Sequence, residues 1–252
     1  MAVVVRRLPF RGLVAFSLTE LRVQLHEATA IVTSLIIQVV LLLFVSILDR
    51  SLLAVALFGA ILFSMFALGQ RVQNEAAFVR IDHKLNELYL AGPLSPEAYF
   101  LGMSLGVLGG YLIPILVLVA ATFYLVGISL TTALVLLAAA AGVWLFACSF
   151  GYFVSTLFRD MRTIWPYASI FYNLFGVLPP VFYPLSYWSG PLVPVALVVP
   201  PSAAAALVQW TIGWAMLSPW ELALAAGSLS LEGLGTFLFA IYWSRRTVRE
   251  DT

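Results

Sequence analysis

The stretch AIVTSLIIQVVLLLFVSIL (30–48), DR (49–50) and SLLAVALFGAILFSMFALG (51–69) decides the fold. Each apolar run has no charged residue, and as a helix each rises about 28 Å at ~1.5 Å per residue, enough to cross a hydrocarbon layer of about 30 Å. Asp49 and Arg50 leave room only for a tight turn, so the pair reads as an antiparallel hairpin of two spanning helices. Four further apolar stretches, at 101–126, 132–157, 163–182 and 221–244, extend the pattern. The expected fold is an all-α integral membrane protein, a single transmembrane domain over 1–252 with six spans.

Arginine placement is independent of hydropathy, and it agrees. Twelve of the thirteen Lys and Arg residues fall on one side of these six spans. Arg6, Arg7, Arg11 and Arg22 precede the first, and Arg71, Arg80 and Lys84 separate the second from the third. Arg159 and Arg162 lie between the fourth and fifth, and Arg245, Arg246 and Arg249 follow the sixth. Only Arg50 is on the other side. The positive-inside rule then makes both termini cytoplasmic, in a multi-pass protein of the cell (inner, cytoplasmic) membrane. Composition leads to the same class: 62% apolar and 10% charged residues lie far from the roughly 45–50% and 25% of soluble domains. A net charge of +1 argues against a nucleic-acid partner, and membrane lipids are the expected surroundings.

Between the spans the chain carries local signals. Residues 10–27 place Val14, Leu18, Leu21 and Leu25 at helical spacing against Glu20, Gln24 and Glu27, the pattern of an interfacial amphipathic helix. Residues 71–98 form the longest and most polar cytoplasmic connection, broken at Gly92-Pro93. There Ser95 can cap a helix that Pro96 starts and Glu97 favours by its charge. Gly102, Gly106 and Gly110, and later the run Ala138 to Gly142, are surfaces for close helix approach, and Pro114 should kink the third span. Residues 183–220 stay apolar but contain six prolines, which excludes one straight helix. Two half-helices re-entering or lying on the outer leaflet, anchored by aromatics, are expected instead.

The chemistry of catalysis is missing. There is no G-x-x-x-x-G-K-[ST], H-E-x-x-H or G-x-S-x-G motif, and His26 and His83 are the only histidines, both reading as solvated surface residues. Cys148 stands alone, so it has neither a disulfide partner nor a metal set within the chain. Catalytic residues, cofactor and metal sites are not expected here. Glu232 falls deep in the sixth span, where a charge costs on the order of 3 kcal/mol. It reads either as a polar point on a substrate route or as a neutral, hydrogen-bonded Glu holding helices together, with Ser228 one turn away. The spans hold too few ionisable groups for a proton or sodium relay, so an energy source would have to dock from another chain.

Six spans, an N-terminal interfacial helix, the segment Lys84-Leu85-Asn86-Glu87-Leu88 through Ala91-Gly92-Pro93-Leu94-Ser95-Pro96-Glu97-Ala98-Tyr99, and the run Val181-Phe182-Tyr183-Pro184-Leu185-Ser186 together resemble the permease subunits of type-2 ABC exporters. That resemblance covers essentially the whole chain. It implies a second permease subunit and a separate ATP-binding cassette ATPase, which would hold the ATP and Mg. It implies an ATPase-coupling surface at Glu87, Leu88, Gly92, Pro93, Leu94, Ser95, Pro96 and Glu97, and a lesser one at Arg159, Asp160 and Arg162. It also implies a substrate route lined by the first, second and fifth spans, where Trp165, Tyr167, Phe171 and Tyr172 stand. Those four aromatics read equally well as lipid-facing or helix-packing bulk. An apolar route of this kind would suit a lipid, a lipid-linked glycan or polysaccharide, or a hydrophobic drug. A self-contained carrier or channel, or a scaffold subunit of another complex, remain the alternatives.

Overall fold

The computed structural model describes residues 9–82 and 94–250. Among these the chain is helical throughout, with no strand. The helices are α1 (Pro9–His26), α2 (Ala28–Leu48), α3 (Leu53–Ile81), α4 (Pro96–Gly110), α5 (Leu112–Val126), α6 (Leu130–Leu157), α7 (Met161–Val177), α8 (Leu192–Val198), α9 (Pro200–Thr211) and α10 (Pro219–Glu250). Among the described residues α2, α3, α6 and α10 are each long and apolar enough to cross a membrane, and the bent pairs α4–α5 and α8–α9 bring the number to as many as six if each pair is one span. The molecule is accordingly a helical membrane protein.

The α2–α3 hairpin forms where expected, because the Asp49 carboxylate accepts a hydrogen bond from Ser51 N at 2.8 Å and starts a 3-10 turn at Arg50–Leu52. α3 does not stop at Gly69. No proline or glycine interrupts Gln70 to Ile81, so the helix runs on through polar sequence for 29 residues, about 43 Å. It is the central rod of the bundle, with Val55 to Leu62 continuously buried. α6 lies against it backbone to backbone: a Cβ added at Gly69 would fall 2.3 Å from the Ala147 carbonyl, and one at Gly151 2.2 Å from that of Gly69. A second close crossing joins α6 to α10, where Gly233 faces the Gly142 carbonyl.

Ser95 caps α4 through its hydroxyl, which accepts from Ala98 N at 3.2 Å, with Pro96 at the first helical position and Glu97 in the first turn. The third span breaks by 52° between Gly110 and Leu112. The break sits one turn before Pro114, because a proline ring excludes the carbonyl four residues back and offers no N–H to it. The helix that uses the glycine stripe is α1. Hypothetical Cβ atoms at Gly102, Gly106 and Gly110 would collide with Phe16, Glu20 and Gln24 in turn, so α1 and α4 run parallel in close contact. This reverses the amphipathic reading of α1: Glu20 and Gln24 are buried against protein, whereas Val14, Leu18 and Leu25 face outward.

α7 begins at Met161, capped by Asp160, which accepts from Thr163 N at 2.9 Å and from the Thr163 hydroxyl at 2.7 Å. Its 17 residues rise about 25 Å, less than a full hydrocarbon layer. The half-helix expectation for 183–220 holds in outline, since α8 and α9 meet at 106°. Their setting differs, because α9 is enclosed by protein. Its run Ser202 to Ala206 is buried, and the alanines let α9 lie close on α6. One buried side chain closes this region. Gln209 Oε1 accepts from Leu185 N at 2.8 Å, while its Nε2 donates to Pro180 O at 3.2 Å and Tyr183 O at 3.1 Å. Gly213, at φ 77°, ends α9 with Trp214 N reaching back to Gln209 O at 2.9 Å, the bonding of a Schellman turn.

Candidate functional site

Polar residues recur near helical spacing on three helices: Thr33, Ser34 and Gln38 on α2; Ser64, Arg71 and Asn74 on α3; Ser169 and Asn173 on α7. Steps of three and four put each set on one face of its helix. The bundle turns these faces toward one another around a cavity of about 360 Å³, which Phe63, Tyr111, Pro114, Ile115 and Trp165 help to line. No carboxylate is among its lining residues. One wall is tied across the bundle by Gln70 Nε2, which donates to the Ser169 hydroxyl at 3.1 Å.

At one end of the cavity the Arg71 guanidinium stands over the Tyr111 ring, 5.2 Å from its centroid, and 4.0 Å from the Glu27 carboxylate. Beyond Glu27 lies the α1 polar face. Gln24 donates to Glu20 at 2.9 Å, with Glu75 of α3 close to the same group. Burial raises the pKa of Glu20, Gln24 partly offsets that by hydrogen bonding, and Glu27 adds to the rise.

Two amide oxygens in the lining, Gln38 Oε1 and Asn74 Oδ1, and the Tyr111 hydroxyl are buried with no hydrogen-bond partner among the described residues. Gln38 is only 3% exposed. An unpaired buried acceptor is costly, about 1–3 kcal/mol, and a polar cavity is where such groups find partners from outside the chain.

Of the aromatics assigned to a route, Trp165 lines the cavity and Tyr167 is exposed on the same helix. Tyr172 does not belong to it: fully buried, it donates to the Ala147 carbonyl at 3.1 Å where α3 and α6 touch. Phe171 packs between Phe66 and Phe150. Glu232 lies on α10, away from the lining residues, and Ser228 donates instead to the carbonyls of Leu197 and Ala225. The expected Ser228–Glu232 link is therefore absent.

Among the residues assigned to coupling, Glu87, Leu88, Gly92 and Pro93 lie outside the described residues. Leu94 is buried, beside Gly12 of α1. Ser95 and Pro96 are spent on starting α4, and Glu97 is ion-paired with Arg245 of α10. Arg159, Asp160 and Arg162 are exposed at the α6–α7 turn. Asp160 is held low by the hydroxyl and backbone N–H of Thr163.

The aromatics of α7 are legible in the sequence, and the cavity is not. The available signal was the repeated one-face spacing of polar residues within apolar helices. Fold and site together define a helical membrane protein with a cavity of mixed polar and apolar lining among α2, α3, α5 and α7. The chain matches no protein-family model, no curated protein and no solved structure.

Proposed function

We propose that the chain is the permease subunit of an ATP-binding cassette exporter, moving an amphipathic substrate through the cavity among α2, α3, α5 and α7. In this reading α2, α3, α4–α5, α6, α7 and α10 are the six spans. α8–α9 is a re-entrant pair on the outer side, and both termini are cytoplasmic. The observation that carries it is the position of α2. It supplies Thr33, Ser34 and Gln38 to the cavity, yet only 6% of its apolar window Ile31–Leu48 is buried. A helix that lines a polar cavity and leaves its other faces uncovered is suited to meeting a second permease subunit along a shared route. The polar lining favours a substrate with a hydrophilic head, such as a lipid or a lipid-linked glycan, over a wholly apolar drug.

The ATPase is expected to dock at the exposed turn of Arg159, Asp160 and Arg162, with the segment before Leu94 contributing. Leu94 itself supports α1, and Glu97 holds α10. The test is purification of the tagged chain from native membranes in mild detergent. A stoichiometric P-loop partner, lost on combined Arg159→Glu and Arg162→Glu substitution while the chain stays monodisperse, is the expected result. A chain that purifies alone and moves solute in liposomes without ATP would overturn it in favour of a self-contained carrier.

A further inference from the structure

We infer that the cavity binds an uncharged, polyhydroxylated group, such as the sugar ring of a glycosylated amphiphile, with Gln38 and Asn74 as acceptors and Trp165 as its apolar platform. Complementarity decides the ligand class. Three lining atoms are buried and unpaired among the described residues: Gln38 Oε1 and Asn74 Oδ1 are acceptors, so the ligand must donate to them, and the Tyr111 hydroxyl can donate or accept, which a ligand hydroxyl can answer either way. Phosphates, sulfates and carboxylates accept hydrogen bonds and do not meet that need. A quaternary ammonium has no donor at all.

Charge gives the same answer. Among the described residues no carboxylate lines the cavity to hold a cation. Its one cation, Arg71, already faces Glu27 and the Tyr111 ring. What remains is hydroxyl and amide chemistry from Ser64, Ser169 and Asn173, beside the exposed indole of Trp165. An indole offers a broad apolar face with a polar edge, which suits a sugar ring whose C–H face is apolar and whose rim is hydroxylated. The volume of about 360 Å³ lies within the roughly 300–1,000 Å³ of small-ligand sites. It leaves the alkyl tail of such a ligand to the lipid side of α2 and α7. As a substrate assignment this rests on the permease reading above. Binding is read without an ATPase, so each fails on its own result.

The experiment places the full chain in phosphatidylcholine nanodiscs, because maltoside and glucoside detergents would themselves compete for the site. Tryptophan fluorescence and saturation-transfer NMR then follow three probes: hexyl β-glucoside, hexyl phosphate and hexanol. Saturable binding of the glucoside alone is expected, with transfer strongest to its ring protons. The fluorescence response should be lost in Trp165→Phe and kept in Trp210→Phe. Gln38→Leu and Asn74→Leu should each weaken glucoside binding about tenfold, the scale of a lost buried hydrogen bond. Hexyl phosphate binding as tightly would transfer recognition to Arg71 and overturn the proposal. So would equal binding of hexanol, absence of saturable glucoside binding, or unchanged affinity in both leucine variants. If either variant fails to fold, the ranking of the three probes on the native chain decides by itself.

Discussion

Gln209 holds the connection before α8 to α9. Its amide makes three hydrogen bonds to the backbone of the Pro180–Leu185 connection. Leucine at this position keeps the volume and strands one N–H and two carbonyls inside the protein. Gln209→Leu should therefore cost roughly 3 kcal/mol or more, at about 1–3 kcal/mol for each of the three orphaned groups, seen as a lower midpoint in thermal unfolding of the detergent-solubilised chain. Glu20 makes a different prediction. Burial against the Gly106 region raises its pKa, so the folded state holds its proton over a range in which the unfolded chain has lost it. Stability is then greatest at low pH and falls as pH rises from the ordinary value of 4.5 through the raised one. Glu27, Glu75 and Arg71 face the same pocket of charge. Amide exchange in α1 should accelerate across that range, and Glu20→Gln should flatten the profile.

Glycines sort the helices into contacts that tolerate a methyl group and contacts that do not. At Gly69 the obstacle is the Ala147 backbone carbonyl, 2.3 Å from an added Cβ, and a backbone cannot rotate away. Gly69→Ala should separate α3 from α6 and cost about 3 kcal/mol or more, at the upper end for overpacking. Gly235, on α10, has open space around it. There Gly235→Ala should stabilise by roughly 0.5–1 kcal/mol through helix propensity alone. Opposite shifts in the melting midpoint would establish the contrast; equal shifts would refute the packing described. These elements also mark what the sequence makes legible. Ser95-Pro96-Glu97 is readable because a cap is settled by neighbours two or three residues apart. The stripe Gly102, Gly106, Gly110 is readable as a close approach. Its partner is not, because Glu20 and Gln24 look like a solvated face until α4 is laid over them. The cavity escapes for a related reason: Gln38, Asn74 and Ser169 are unremarkable singly, and only the crossing of α2, α3 and α7 brings them together.

For the whole molecule the testable matter is which ends share a side. The described contacts gather one end: Arg80 reaches the last turn of α6, Glu97 pairs with Arg245, and Trp243 donates to Thr156 at 2.9 Å. The opposite end holds the turns at 49–52 and 127–130 and the Gln209 clamp. In a Cys148→Ala background, single cysteines at Ser51 or Ser129 should react with an impermeant maleimide in intact cells. Cysteines at Arg162 or Arg246 should react only after permeabilisation. The reverse pattern would overturn the orientation, and labelling of all four from outside would overturn the span count.

The end of α3 has a mechanical consequence. The Arg80 guanidinium donates to the carbonyls of Ser155 and, at 2.6 Å, Phe158, bolting the tip of this helix to the strut that leads into the Arg159–Arg162 turn. Arg71, on the cavity wall, sits nine residues up the same unbroken rod, about 13 Å away. Any push delivered at that turn therefore has a stiff lever to act on, and the far arm of the lever is the cavity wall.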